Sequence, residues 1–525
     1  MKVTRNISSF DSNVAPLIVF ALPCFSRRGA NLACLRTLFA IWCLLDAFPT
    51  SAETNSVPMS LDDCIHQALE KNLLLEISRV SPALAKMGLE ISRTAFDPSL
   101  RFNSDLSTAS TPGGVDEQNR GFAGTETDSE RYNANVTGLA PSGLNYTFGG
   151  NVQRREGQNP GGAFENTFGT ASLSLRQPLL RNAWIDNTRL SIRINRNNVR
   201  VSELGLQQAI MSLVTRVERS YYDLILARDG VKVRQQAMAL TQKLLSANRE
   251  RVKIGVMAPL DEKQAESQLA AREASLRAAQ RNLFNQEYSL KRLLTDDIAT
   301  WSRITIRPMP MPSAAPQQFD LHKSWGIALR NRPEILQTRI EVESDGITLR
   351  FRENQLFPQL DLVASASYSG SRQEYSGVID DILDRSSPRY SVGAVLNIPL
   401  GNRAARKQLE QQRLRNQRTL LNLKELEQSI MTEVALNIEA VRTAYDQVAS
   451  TRKSREFAEE ALNAEEKKLA VGNSTSFVVL QLQRDLTTAQ SAEISALADY
   501  NKALATLALS EGRTLERRKL NLSVN

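Results

Sequence analysis

Histidine occurs only twice in 525 residues, at His66 and His322, and cysteine only four times. So few imidazoles and thiols argue against a His/Cys metal centre or a histidine-based catalytic pair. Glycine (25) and proline (19) are too scarce for a disordered or collagenous chain. Aromatic residues, at 6%, are low for a β-sandwich or a propeller. No glycine loop of the phosphate-cradling kind is present, and no nucleophile, base and oxyanion donor come together, so catalysis is not expected. Neither charge sign dominates: 65 basic and 57 acidic residues are interspersed, for a net charge of +8. That balance lacks the one-sided basic surface of a nucleic-acid binder. What the chain does have is 42% hydrophobic and 23% charged residues, enough to bury a core. Length alone would allow three or four domains.

Residues 1–52 read as a targeting segment. Arg27, Arg28 and Arg36 precede an apolar stretch from Leu38 to Phe48, and the small residues of Thr50-Ser51-Ala52 follow. This resembles a Sec signal peptide removed after about Ala52, with a membrane anchor as the alternative. Cys24, Cys34 and Cys43 fall inside it, so export leaves Cys64 alone and no intramolecular disulfide. Ala40-Ile41-Trp42 before Cys43 is too bulky for a lipidation site. Beyond residue 52 no run of ~18 apolar residues occurs, so no transmembrane helix is expected.

The remainder reads as two copies of one plan. Shifted by 260 residues, Leu61, Ala68, Leu69, Pro98 and Leu100 fall on Leu321, Ala328, Leu329, Pro358 and Leu360. Shifted by 217, Gly255, Gln264 and Leu269 fall on Gly472, Gln481 and Leu486. The first repeat is placed at 53–300, a proline-rich linker at 301–320, the second repeat at 321–512 and a basic, solvated tail at 513–525. Each copy contains a helical stretch (Leu61–Ala95, Leu321–Gln355), a strand segment, a very long helix (about Leu179–Ile254, Asn402–Val471), a break at Gly255 or Gly472, and a closing helix (Leu260–Asp296, Ser474–Glu511).

The long helices are the clearest local feature. From Asn402 to Val471 there is neither glycine nor proline. Apolar residues recur three and four apart at Ile210, Leu213, Val214, Val217, Tyr221, Leu224 and Ile225. In the second copy they recur at Leu423, Leu426, Ile430, Val434, Val441, Tyr445 and Val448. This narrow stripe is the pattern of coiled-coil packing. A helix of ~70 residues is ~105 Å long. The two shorter helices of each copy together match that length, so they can stack end to end beside it. Gly255 and Gly472 then end the long helices at a hairpin tip, with the strands at the opposite end.

In Arg389–Ile398, Tyr390, Val392, Ala394, Leu396 and Ile398 alternate with Ser391, Gly393 and Asn397. Gln359–Ser369 forms the partner strand. Such alternation fits an outer-membrane barrel strand, and a half-buried soluble sheet would alternate in the same way. Pro98 and Pro178 lie 80 positions apart but Pro358 and Pro399 only 41. The extra length holds Asn133–Leu139, a turn at Pro141-Ser142-Gly143, and Leu144–Val152. It reads as an added hairpin, giving six strands rather than four, with long polar loops at Ser110–Glu130 and Gln153–Asn166. Six strands cannot close a useful membrane barrel and open edges are not tolerated in lipid, so several copies must share one ring.

The tip segments carry a family resemblance. Arg251-Val252-Lys253-Ile254-Gly255 with Leu260-Asp261 and Gln264 to Leu269 is one; Lys468-Leu469-Ala470-Val471-Gly472 with Val479-Leu480 and Leu486 is the other. With the strand-to-helix passages at Pro98, Pro178, Pro358 and Pro399, this ordered set resembles the TolC-like outer-membrane efflux proteins. The resemblance implies a mainly α fold with membrane β: a coiled-coil α-helical barrel across the periplasm plus a trimeric transmembrane β-barrel, four strands per chain being usual. It implies an exit duct of a tripartite efflux pump or type I secretion system, with no catalytic residue, cofactor or metal. The implied partners are two further copies, outer-membrane lipid, an inner-membrane pump of RND or ABC type, and a periplasmic adaptor docking at the tips: Gly255, Val256, Met257, Gly472, Asn473, Ser474 and Thr475. Members often carry an acidic ring after the second tip glycine. The matching positions here are Val478 and Gln481, with Asp485 about one turn further, so this chain departs from the family pattern, and a less cation-selective constriction lined by apolar or amide groups is the alternative to an acidic ring. A soluble periplasmic coiled-coil adaptor or scaffold is the alternative function.

Overall fold

The computed structural model describes residues 55–115, 117–159 and 161–520; the expected signal peptide lies outside them. In the first repeat β1 (Asn55–Met59), α1 (Leu61–Lys71) and α2 (Leu73–Arg93) lead into β2 (Ser99–Thr111). The two-residue strands β3 (Gly114–Val115) and β4 (Gly121–Phe122) follow, then β5 (Thr125–Leu139), β6 (Asn145–Asn159) and β7 (Gly162–Pro178). After them come α3 (Asn187–Lys253), α4 (Pro259–Leu294), α5 (Ile298–Trp301) and β8 (Ile304–Pro308). The second repeat runs α6 (Leu321–Asn331), α7 (Pro333–Asn354), β9 (Gln359–Arg372), α8 (Tyr375–Leu383), β10 (Pro388–Asn397), α9 (Arg403–Ala470), α10 (Ser476–Ser510) and α11 (Thr514–Arg517).

The long helices α3 and α9 have 67 and 68 residues. All seven stripe residues of α3, from Ile210 to Ile225, are buried in one core, and Ile430, Val434, Val441 and Val448 of α9 are buried in a second. The expected 35-residue helix of each copy is broken in two. Asn72 ends α1 through its N–H to the Ala68 carbonyl (3.0 Å), and its side chain accepts from Leu75 N (3.1 Å) to open α2. Its Nδ2 also donates to Leu293 O (3.0 Å), which seats the end of α4 on the start of α2. In the second copy Pro333 forces Arg332 into extended backbone. A Cβ on Gly512 would lie 3.1 Å from Arg332 N, so the end of α10 abuts the start of α7. The short helices therefore stack end to end as expected. Side by side the order is α2/α4, α3, α7/α10, α9.

Helix α3 starts at Asn187, not near Leu179. Asp186 caps it, accepting from Arg189 N at 2.8 Å, and Asn182 takes a left-handed φ of 64°. The intervening passage is pinned to the end of α7: Asn182 N donates to Asn354 Oδ1 (2.7 Å) and Arg181 Nε to Gln355 Oε1 (2.7 Å). The stretch 301–320, expected as a proline-rich linker, contains strand β8, which pairs in parallel with β1. Tyr221 holds both strands, donating to Met59 O (3.0 Å) and accepting from Met309 N (2.9 Å).

Six strands form one antiparallel sheet in the order β10-β9-β7-β6-β5-β2. The added hairpin β5–β6 turns at Ala140–Leu144, where Gly143 has φ 89° and donates to Ala140 O at 2.8 Å. The expected polar loops are largely strand. β5 begins at Thr125, β6 runs to Asn159 and β7 starts at Gly162, held by continuous ladder pairing; the polar sequence there has no apolar alternation to mark it as strand.

The basic run at 513–519 is not a solvated tail. Thr514 is buried, and Arg518 Nε donates to Glu218 Oε1 at 2.5 Å, with the Glu218 side chain 2% exposed. Removing one member of a buried ion pair strands the other charge, at a cost of about 3–5 kcal/mol. Arg518→Met should accordingly lower the denaturant midpoint of the purified protein, and Arg518→Met with Glu218→Met should recover most of the loss.

Candidate functional site: the hairpin tips and the apolar sheet face

At the far end of the helices both tips close in the same way. Gly255 N donates to Val252 O (3.1 Å) and Val256 N to Arg251 O (3.0 Å). Gly472 N donates to Leu469 O (3.2 Å) and Asn473 N to Lys468 O (2.9 Å). These are Schellman ends, and the left-handed φ they demand (76° and 87°) is why glycine stands at both. Nothing lies within 4 Å of where either Cβ would be, so both tips are open. Val256 and Asn473 are exposed beside them, Met257 is half-buried, and Thr475 precedes α10. The two hairpins touch: Ser476 Oγ bonds Asn248 Oδ1 (3.0 Å). Gly255, Val256, Gly472 and Asn473 thus lie at one end of the helix layer.

Charge networks absent from the sequence reading hold each hairpin. Arg249 bridges α3 to Glu262 (3.2 Å) and Glu266 (2.7 Å) of α4, and Lys263 adds a bond to Glu266 (2.9 Å). Across the second tip, Ser474 Oγ donates to Glu465 Oε1 (2.6 Å) and Lys468 pairs with Glu465 (3.0 Å). Opposite charges flanking each break were the available signal. Val478, Gln481 and Asp485 all lie on the exposed side of α10, while Val479, Leu480, Gln483 and Leu486 face inward. Asp485 lies 3.8 Å from Arg484, which offsets its charge. The four prolines sit at strand ends: Pro98 and Pro358 precede β2 and β9, Pro178 ends β7, and Pro399 follows β10.

The sheet has two chemically distinct faces. Its register sets Leu100, Val136, Phe148, Leu173, Ala366 and Tyr390 in one row across all six strands. The neighbouring row on the opposite face is Arg101, Asn135, Gly149, Ser172, Ser367 and Arg389. On β9 the apolar band extends from Leu360 to Tyr368, about 20 Å of membrane depth at a strand tilt of ~45°. Past Tyr132, Val152, Gly169 and Gly370 this face becomes charged, with Arg154 bound to Glu156 (2.9 Å) and Glu165 (2.6 Å). A band of apolar side chains bounded by tyrosines, with polar residues on the other face, is the surface of an outer-membrane barrel segment. Among the described residues no helix is long and apolar enough to cross a membrane; the sheet is the element built for lipid.

Long coiled-coil helices in two repeats, joined to a lipid-facing sheet, define an outer-membrane channel subunit. The sequence matches the outer membrane efflux protein family over residues 64–295 and 326–513, and the chain belongs to that family, a non-enzymatic class of transport proteins. It is 24% identical to the outer membrane efflux protein BepC of Brucella suis biovar 1 (strain 1330) over 378 residues, 71% of this chain and 78% of BepC. Its fold is similar to the outer-membrane channel OprN (TM-score 0.66, 17% identity, 86% of this chain and 89% of OprN). It is also similar to the CmeC outer membrane channel of Campylobacter jejuni (TM-score 0.63, 14% identity, 88% and 90%). Family membership removes the soluble adaptor or scaffold as an alternative.

The tips have a defined acid sensitivity. The Ser474 hydroxyl, then Lys468, hold the Glu465 carboxyl below its ordinary 4.5; Lys263, then Arg249, do the same for Glu266. Depressed carboxylates stabilise the folded tip above the unfolded-chain value, and the contribution vanishes as pH falls through the folded one. Hydrogen exchange at 255–262 and 472–476, corrected for its intrinsic pH dependence, should accelerate as pH drops below 4.5. Glu465→Gln with Glu266→Gln should show fast exchange already at neutral pH.

Proposed function

We propose that three copies assemble into one exit duct, conducting cargo passively from a periplasmic adaptor through the outer membrane. The observation that carries this reading is that the sheet and the helix layer end on the same two edges. β2 and β10 are the outer strands of the sheet, and every second residue on an outer strand points its N–H and C=O away from the sheet. β2 follows directly on α2 and β10 leads directly into α9, the outer helices of the layer. α2 exposes Leu73, Ile77, Val80, Leu84, Met87 and Ile91 at alternating spacings of four and three, a coiled-coil seam without a partner among the described residues. α9 exposes Leu414 and Leu421, seven apart. The β2/α2 edge of one copy fits the β10/α9 edge of the next.

Three sheets of six strands then make a barrel of eighteen strands, wider than the twelve that four-stranded members build. The helices cross the periplasm, and the open tips at Gly255, Val256, Met257, Gly472, Asn473, Ser474 and Thr475 receive the adaptor, with an inner-membrane pump of RND or ABC type supplying energy. The exposed face of α10 at Val478, Gln481 and Asp485 lines the constriction.

Val256 is exposed and is not one of the positive-φ positions, so Val256→Asp should leave folding and outer-membrane yield intact while abolishing cross-linking to the adaptor and transport. Unchanged transport would refute docking at this tip. In planar bilayers Gln481→Asp should shift the reversal potential under a salt gradient toward that of a cation-selective pore; no shift would remove Gln481 from the constriction.

A further inference from the structure

The loop between β9 and β10 contains α8, whose seat is built on the apolar face of the sheet. Gly169 and Gly370 face each other across β7 and β9. A Cβ on Gly169 would lie 2.5 Å from Val378 Cγ1, and one on Gly370 would lie 2.8 Å from the Val378 carbonyl oxygen. The glycine pair thus forms the recess that admits the helix. Val378 is fully buried there, and Ile382 reaches the same recess, 3.1 Å from the Gly169 position. Polar clamps fix both ends: Tyr375 Oη donates to Glu130 Oε2 (2.8 Å), and Arg372 forms a two-bond pair with Asp381 (2.8 and 3.0 Å).

The position of the seat matters. Gly169 and Gly370 lie in the row of Val152 and Tyr132, where the apolar band ends and the Glu130–Arg154 level begins. With one apolar edge buried, α8 still exposes a second: Ile379 is 49% and Leu383 72% exposed. These two residues are one turn apart, on the same face as the tyrosines that bound the band. Their apolar surface continues the lipid-facing surface of the sheet, while Glu130, Arg154 and Arg372 occupy the next row outward.

We propose that α8 is an interfacial anchor, which inserts Ile379 and Leu383 into the acyl-chain boundary of the outer leaflet and fixes the height of the barrel in the membrane. The inference rests on the sheet spanning the bilayer. An amphipathic helix lying in the interface binds through its buried apolar area, and a helix clamped to a barrel does so without the entropic cost of folding on contact.

The test uses the full-length protein with Cys24, Cys34, Cys43 and Cys64 all replaced by serine, reconstituted in phospholipid vesicles. Single cysteines at Leu383→Cys, Ile379→Cys and, within the band, Val392→Cys carry an environment-sensitive fluorophore. Lipids bearing a nitroxide near the headgroup end of the acyl chain should quench labels 379 and 383, and aqueous iodide should leave both bright. Lipid quenching of 392 with iodide quenching of 379 and 383 overturns the anchor and leaves the membrane-spanning sheet standing. No lipid quenching at 392 sinks the membrane reading itself. Labels at 379 and 383 shielded from both quenchers would mean a protein covers α8, which also overturns the proposal. Gly169→Leu, which fills the recess, should make label 383 accessible to iodide without changing label 392.

Discussion

A β-strand edge in hydrocarbon cannot be left open. Each unpaired backbone N–H or C=O there costs several kcal/mol, and β2 and β10 each present a full row of them. A closed six-stranded tube would be too small to leave a passage. In the proposed ring these strands pair with strands of other copies, and the rest of that architecture follows. In that ring the helices continuing from those strands are the meeting helices, and their exposed stripes are the seams. The two-repeat layout allows this, because it delivers one sheet edge and one helix edge on each side of the chain.

The same logic gives the sheet its chemistry. In the proposed ring one face sees only lipid and the other only the passage. The rows of leucine, phenylalanine and alanine, against rows of serine, asparagine and arginine, are what that division requires. At the far end of the helices the requirement is different: two long helices must reverse without leaving carbonyls unsatisfied. Glycine in the left-handed region does this at Gly255 and Gly472, and it leaves a surface with no bulk over the turn.

Much of this was legible in the sequence because it is periodic or abrupt. A 70-residue stretch without glycine or proline, stripes at three and four, and alternation in Tyr390–Leu396 all report local geometry directly. The added hairpin, β5 and β6, was legible as excess length between prolines. Other features depend on contacts between distant residues. The break at Asn72 has a local cause in that residue's own capping amide, but the contact that seats it, with Leu293, comes from 221 positions away. Helix α3 starts late because Asn354 and Gln355 hold the preceding passage. The outer halves of β5 and β6 looked like loops because both of their faces are polar. The run at 513–519 looked solvated because its partner, Glu218, lies some 300 positions earlier. Helix α8 had a readable signal in Val378, Ile379, Ile382 and Leu383, but not its seat on two glycines.

The most direct measurement is electron cryomicroscopy of the protein in lipid nanodiscs. The account predicts a three-fold ring in which β10 of each copy pairs with β2 of the next, closing eighteen strands, with α2 packed against the neighbour's α9. A single copy whose own β2 and β10 pair with each other, or a sheet lying outside the lipid, would contradict it.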